Sequence, residues 1–310
     1  MTSPLRFLSR DAVRALLPPV GVQLDLAEQT YRAMAAGRVE LPPKPGIHPR
    51  QDAFIHAMPA YLADSDVAAL KWVSGYPSNK QRGLPYISGL IVVNDAETGV
   101  PLAVMDAAEI TAARTAAASG VCVRSFAPSG WTRAAILGCG EQGRFHADVL
   151  TSLNPDLRIR AYDPDRASAL ALPGPVEVVD EPADAVRGAE VIVTAGPIVV
   201  APTPTIFEDW LAAECLVLPI DFDFYVRADA IQAADLFAVD DVEQYEYYCA
   251  GGHFEDWPSP TCSTGEALAR GERPARVACV NLGVGSLDAA FADRVLGAAQ
   301  DQGIGDIVSL

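Results

Sequence analysis

The sequence contains no Cys-x-x-Cys pair, and its six cysteines, Cys122, Cys139, Cys215, Cys249, Cys262 and Cys279, stand far apart. Only four histidines occur, none at zinc-ligand spacing from a cysteine. Neither a disulfide framework nor a metal site is suggested, and the thiols read as reduced and mostly buried. No apolar run approaches the roughly 18 residues that a membrane span requires. At the N-terminus, Arg6, Arg10, Asp11 and Arg14 interrupt any secretory hydrophobic stretch. A soluble cytoplasmic protein is therefore expected. Basic residues are scarce: 23 Lys and Arg face 40 Asp and Glu, a formal charge of −17. Such a surface repels phosphate backbones and anionic bilayers, so neither nucleic acid nor membrane is an expected partner. A small anionic substrate stays open, because a few local cations dominate the potential inside a cleft.

Half of the 310 residues are hydrophobic, enough to bury a sizeable core in two domains or in a domain with a completing lobe. Helices are expected at 10 to 16 and at 26 to 36, the second opened by the capping pair Asp25 and Glu28 and stopped by Gly37. LPPKPG at 41 to 46 reads as rigid loop. From 53 to 105, short β-prone segments separated by Gly, Asn and Pro turns predict a mostly antiparallel sheet, with a hairpin at NDAETG, 94 to 99. Asp106 and Glu109 form a second capping pair before an alanine-rich helix, a natural bridge between domains.

Beyond it the pattern becomes βα. Near-continuous Val, Ile, Leu and Ala runs at 133 to 138, 157 to 163, 176 to 180, 189 to 196, 215 to 222, 236 to 240 and 276 to 283 suit a parallel sheet covered on both faces. A last helix from Ser286 is positioned to return to the first lobe. The expected fold is α/β: a central Rossmann-type domain, residues 121 to 285, and an α+β domain built from 1 to 120 plus 286 to 310.

The segment AAILGCGEQGRFHADVL carries Gly138, Gly140 and Gly143 in G-x-G-x-x-G register, between an apolar strand and a helix. The three glycines serve a tight turn, close approach of a pyrophosphate, and close helix-to-sheet contact, while the helix N-terminus supplies N–H groups. Cys139, Glu141 and Gln142 lie within the same loop. Asp163 ends the next apolar run, where a carboxylate binds the adenosine ribose and repels a 2′-phosphate, favouring NAD over NADP. Arg166 stands close enough in sequence to soften that repulsion. Thr194 and Ala195 end a later strand on the ligand-binding side of such sheets.

Two cations stand in apolar surroundings, Lys71 in AALKWVSG and Arg114 in the alanine-rich helix. Each must be paired, exposed or waiting for an anionic ligand, and together they suit a substrate carboxylate. Asp221 ends the run CLVLPI, at the edge where catalytic groups gather, with Asp223 as a competing candidate. His56 is a candidate acid–base group near neutral pH, or a structural histidine; His146 reads as structural. The stretch 240 to 257, DDVEQYEYYCAGGHFEDW, reads as an acidic, aromatic surface or lid.

HAMPAY at 56 to 61, LKWVSGYPSNKQRGLP at 70 to 85, PLAVMDAAEITAARTAA at 101 to 117, ILGCGEQG at 136 to 143 and VNLGVGSLD at 280 to 288 together resemble the ornithine cyclodeaminase and mu-crystallin family over nearly the whole chain. The resemblance implies a homodimer formed through the sheets of the first lobe. It implies that Lys71 and Arg114 hold a substrate α-carboxylate, with Lys44 where cyclodeaminases have an arginine for the same group. It implies that Thr115 and the glycine loop touch NAD, that Asp221 is the catalytic aspartate, and that Asn281 and Leu282 line the far side of the cleft.

Two departures concern specificity: His56 stands where the ornithine enzyme has a glutamate for the distal amine, and FDFYVRAD replaces a Gly- and Lys-rich loop after Asp221. The expected activity is NAD-dependent oxidoreduction at the α-carbon of an amino or imino acid. The alternatives are deaminating cyclisation of a diamino acid, a synthase joining an amine to an oxo acid, and non-catalytic, cofactor-dependent binding of a small ligand.

Overall fold

The computed structural model describes residues 4–199 and 201–309. The chain divides into two compact units, Met1–Arg114 with Gly283–Leu310, and Thr115–Leu282.

In the first unit, strands β1 (Pro4–Leu8), β2 (Val39–Glu40), β3 (Gly46–Arg50), β4 (Ala53–Leu62), β5 (Val67–Gly75), β6 (Ile87–Asp95) and β7 (Pro101–Asp106) form one sheet with the C-terminal strand Asp306–Ser309. Its order is Asp306–Ser309, β1, β7, β6, β5, β4, β2, with β3 also paired to β4. All pairings are antiparallel except β1 with β7. The β6–β7 hairpin turns at Asp95, whose carboxylate accepts from both the N–H and the hydroxyl of Thr98. Alternation along β5 buries Lys71 and Val73 and exposes Trp72, so Lys71 lies on the face covered by the C-terminal helix Gly285–Gln302.

Helix α1 (Arg10–Leu16) is capped by the Ser9 hydroxyl. Helix α2 runs from Val20 to Ala35, beginning earlier than the Asp25 signal implied, because the Pro18–Pro19 pair starts it. Asp25 and Glu28 thus lie inside the helix, and Glu28 pairs with Arg32 at 2.8 Å instead of capping. Gly37, at φ 68°, ends the segment as expected. Before α3 (Ala108–Phe126), Asp106 does cap, accepting from the Ala108 N–H at 2.9 Å. Glu109 instead pairs with Arg10 and Arg14 of α1. The division between the units falls within α3, whose small side chains are buried almost throughout.

In the second unit, β8 (Arg133–Leu137), β9 (Arg158–Tyr162), β10 (Val176–Val178), β11 (Val191–Thr194), β12 (Cys215–Pro219), β13 (Leu236–Val239), β14 (Cys262–Ser263) and β15 (Arg276–Val280) form an all-parallel sheet. Their order is β10, β9, β8, β11, β12, β15, β13, β14. The order reverses direction between β8 and β11, the switch point where doubly wound sheets bind ligands at the strands' carboxyl ends. The strands are buried on both faces, which explains their unbroken apolar runs.

The aromatic stretch at 240 to 257 is not a surface lid. It forms the helix Val242–Ala250, and Tyr245, Tyr248 and Phe254 are buried with Phe222 in the core of this unit. Its acidic residues led to the exposed reading, although the aromatic ones dominate its packing.

Candidate active site

The second unit carries the glycine loop. Gly138 leaves β8 at φ 91°, and a Cβ there would meet the Ala195 carbonyl oxygen at 2.3 Å. Gly143 lies in the first turn of α4 (Glu141–Leu153), where a Cβ would meet the Gly138 carbonyl oxygen at 2.4 Å. Both glycines are therefore required by the packing of strand, turn and helix.

Gly140 differs. It caps α4 at φ −72°, with open space where its side chain would stand and no side-chain cap on the helix N–H groups. The protein's own packing makes no demand for glycine there, whereas a pyrophosphate approaching the helix N-terminus would. Beside it, the buried side-chain oxygen of Gln142 has no hydrogen-bond partner among the described residues. These features fit a dinucleotide phosphate.

Asp163 follows β9. Its carboxylate accepts from the Cys139 N–H at 2.7 Å and from the Asp165 N–H at 2.8 Å, so it braces the glycine loop. Arg166 pairs with Asp180. His146 is structural: its ring nitrogens meet the Gln142 carbonyl at 2.8 Å and the Ser119 hydroxyl at 2.9 Å, and burial lowers its pKa to about 4. Asn281 donates to the same Ser119 hydroxyl at 3.0 Å. Thr115, Leu282 and Cys139 are buried, and Glu141 begins α4.

Asp221 follows β12 and is 1% exposed. One carboxylate oxygen accepts from the Thr194 hydroxyl at 2.5 Å and the other from the Gly196 N–H at 2.8 Å. Thr194 is thus spoken for by Asp221. Burial raises the Asp221 pKa to about 7 despite these two donors, with neighbouring Asp223 adding to the rise. Asp223 faces elsewhere, accepting from the Phe254 N–H at 2.7 Å. The two carboxylates are therefore held differently: Asp223 is tied to the aromatic core through Phe254, and Asp221 to the end of β11 through Thr194 and Gly196. Phe222 between them sits at φ 62°, a conformation that turns the two side chains to different tasks.

The first unit holds a separate cluster. Lys71, on β5, and Arg114, on α3, are both at most 5% exposed. They converge on Asp288 of the C-terminal helix: Lys71 Nζ lies 2.6 Å from one carboxylate oxygen and Arg114 Nε 3.0 Å from the other. Asp288 escaped the sequence reading even though SLD was part of the resemblance. Lys71 also donates to the Thr111 hydroxyl at 3.4 Å. Lys44 is buried and donates to the Gly283 carbonyl at 3.2 Å. Gly283 itself, at φ 85°, lies against the guanidinium, and a Cβ there would meet both terminal Arg114 nitrogens at 3.0 Å.

Burial and then Arg114 lower the Lys71 pKa, Asp288 opposes both, and the net result is about 7. His56, on β4, stacks on Phe54 with ring centroids 4.4 Å apart. Burial, then Lys44, His48 and Lys71, push its pKa down to about 3. It is therefore neutral at physiological pH and does not act as an acid–base group there. Of the two readings left open for His56, an acid–base group or a structural histidine, this lowered pKa favours the second, with burial the largest cause.

The ornithine cyclodeaminase/mu-crystallin family model matches residues 7–248. The chain belongs to this family. A nodulation efficiency protein of Rhizobium meliloti, NfeD, is 36% identical over 325 aligned positions, covering 100% of both chains. An alanine dehydrogenase of Archaeoglobus fulgidus is 30% identical, covering 66% of this chain and 63% of its own. The ketimine reductase mu-crystallin of Rattus norvegicus is also 30% identical, covering 66% and 67%. Among solved structures, CmnK superposes with a TM-score of 0.88 at 26% identity over 99% and 98% of the two chains. An archaeal alanine dehydrogenase dimer with bound NAD gives 0.85 at 24% identity, over 99% of each. The α/β fold with its Rossmann-type sheet is thereby shared with these family members.

Proposed function

We propose that this member of the ornithine cyclodeaminase/mu-crystallin family is an NAD-dependent oxidoreductase acting at the α-carbon of an amino or imino acid, rather than a cyclodeaminase. The coarser statement, an NAD-using enzyme that is one or the other, rests on the family and on relatives named alanine dehydrogenase and ketimine reductase. The single observation that carries the reading is the buried array of Lys71 and Arg114 around one carboxylate. While Lys71 is charged, below about pH 7, two cations against Asp288 leave one positive charge in excess, which one substrate α-carboxylate neutralises.

Gly138, Gly140, Gly143 and Gln142 hold the dinucleotide phosphates, and Asp163 holds the adenosine ribose. The bound NAD supplies hydride acceptance or, when reduced, donation. Lys71 and Arg114, with Lys44, take the substrate carboxylate. Asp221 binds the substrate amine in its ionised form and moves the proton. With its pKa at about 7, it exchanges a proton near neutral pH without a large energetic cost in either direction.

Cyclisation additionally needs a group to hold a distal ammonium. The basic neighbours of His56 include Lys44 and Lys71, which repel one when charged. The substrate tail is accordingly uncharged or anionic.

A homodimer in the cytoplasm accompanies this reading. Trp72 and Leu90, paired across β5 and β6 on the face away from Lys71, are 47% and 44% exposed, an apolar surface suited to a second copy. Light scattering at twice the chain mass supports the dimer, and a monomer mass contradicts it.

The deciding experiment presents purified protein with NAD or NADH and a panel of simple amino acids, diamino acids, and oxo acids with ammonia or methylamine, following NADH and product mass together. Stoichiometric NADH change on simple amino or imino acids is expected. Ammonia and a cyclic imino acid without net NADH change would establish cyclisation instead. Cofactor binding without turnover of any member would leave a ligand-binding protein.

A further inference from the structure

We infer that Asp288 is a positioning residue for carboxylate recognition: it yokes the Lys71 ammonium and the Arg114 guanidinium into one array, and so sets substrate affinity without touching the substrate. The inference rests on the functional reading above and adds a residue to it. Three elements meet at this point. Lys71 comes from β5, with Met58 of β4 and Ile91 of β6 as its apolar cross-strand neighbours. Arg114 and Thr111 come from α3, and Asp288 comes from the first turn of the helix Gly285–Gln302.

The placement of Asp288 is built rather than incidental. Gly285, one turn earlier, packs so closely on β4 that a Cβ there would meet the Met58 carbonyl oxygen at 2.8 Å. That close approach brings the helix start down onto the sheet. The carboxylate then divides its oxygens, one for each cation, and takes the Nε edge of the guanidinium. Gly283 leaves room for the terminal nitrogens.

Electrostatics give the array a pH signature. The groups around Lys71 are Arg114 and Thr111 from α3, Asp288 from the C-terminal helix, and neutral His56 from β4, with Lys44 ahead of β3 near His56. Only Asp288 favours the charged lysine, while burial and Arg114 oppose it. In the wild type, Lys71 is charged below about pH 7 and loses its proton above it, so carboxylate affinity falls as pH rises through that value. Without the Asp288 charge the same fall moves to lower pH.

The test measures pyruvate and L-alanine affinity by calorimetry between pH 5.5 and 9 in the NADH- or NAD-loaded protein, for the wild type, Asp288→Asn and Asp288→Glu. NADH affinity, read by fluorescence, and melting temperature are measured alongside. Asp288→Asn is expected to weaken carboxylate binding at least tenfold at pH 7.5 and to shift the midpoint of its pH dependence down, with NADH affinity unchanged. Asp288→Glu restores the midpoint but stays at least threefold weaker, because the longer side chain displaces both cations.

Equal weakening of Asp288→Asn at every pH, with the midpoint unmoved, would mark a merely structural residue and overturn the inference. If Asp288→Asn does not fold, unchanged carboxylate affinity in Asp288→Glu overturns it. A wild type that binds NADH but neither carboxylate overturns the functional reading together with this inference. Wild-type binding with unmoved variants overturns the role of Asp288 alone.

Discussion

On the reading proposed above, the two units hold anions by opposite means. Around Gly138, Gly140 and Gly143 the second unit offers backbone N–H groups and the absence of side chains. The first unit uses side-chain cations, Lys71 and Arg114 converging on Asp288 and Lys44 bonded to the Gly283 carbonyl. Backbone donors do not titrate and need no counter-ion, so such a site is indifferent to pH and intolerant of a Cβ. Buried ammonium and guanidinium groups cost several kcal/mol each unless paired. A site made from them requires an acid of its own and responds to pH when one member is a lysine. Asp221 is the titrating exception within the second unit.

Removing that exception gives the largest expected effect. Asp221→Asn lowers kcat by about a thousandfold, within the usual range for a lost general acid–base group, and flattens the pH dependence of kcat near 7. The wild-type oxidative rate rises with pH through about 7, as Asp221 ionises and can accept a proton. The same variant tests linkage. The raised pKa means that the folded state keeps a proton between about pH 4 and 7 which the unfolded state has lost. Wild-type stability therefore falls as pH rises through that window, and Asp221→Asn removes this contribution to the slope in denaturant titrations. An unchanged kcat and slope would contradict the assignment.

The next comparison sets two glycines of one loop against each other. Gly143→Ala drives a Cβ into the Gly138 carbonyl and is expected to cost about 1–3 kcal/mol of stability. Gly140→Ala meets open space, so its melting temperature stays near that of the wild type while NADH affinity falls tenfold or more. Equal behaviour of the two variants, in either measurement, would remove the distinction between a packing glycine and a ligand glycine. Smallest is the effect of Asp163→Ala, which should reduce the preference for NAD over NADP by about tenfold, the loss of one charged hydrogen bond of about 1.5 kcal/mol. Parallel kinetics with the two cofactors check it, and an unchanged ratio would release Asp163 from the ribose role.

The same contrast explains what could be read before the fold was known. The glycine loop is local: strand, three glycines, helix and Asp163 fall within residues 133 to 163, and each residue type answers a geometric need. The unbroken apolar runs of β8, β11, β12 and β15 likewise announce a parallel sheet. The carboxylate site is nonlocal. Lys71 and Arg114 drew notice because charges in apolar segments are costly, but their partner lies in the C-terminal helix, where an aspartate in the first turn looks like ordinary dipole compensation. His56 stayed open between an acid–base and a structural reading for a similar reason, since its lowered pKa comes first from burial and then from Lys44, His48 and Lys71, none of which its own segment shows. Asp221 and Asp223 could be separated only by the strained Phe222 turn and by the Phe254 N–H that claims Asp223. The start of α2 was shifted by a proline pair competing with a capping signal.

The division of labour between the units is tested most directly by Arg114→Ala, with NADH affinity and amino-acid kinetics measured on one preparation. Loss of one partner from a buried ion pair costs about 3–5 kcal/mol. The account predicts that kcat/KM for the best substrate of the panel falls at least a hundredfold, while the NADH dissociation constant stays within twofold of the wild type. Retained turnover of carboxylate substrates, or loss of NADH binding in the folded variant, would contradict it.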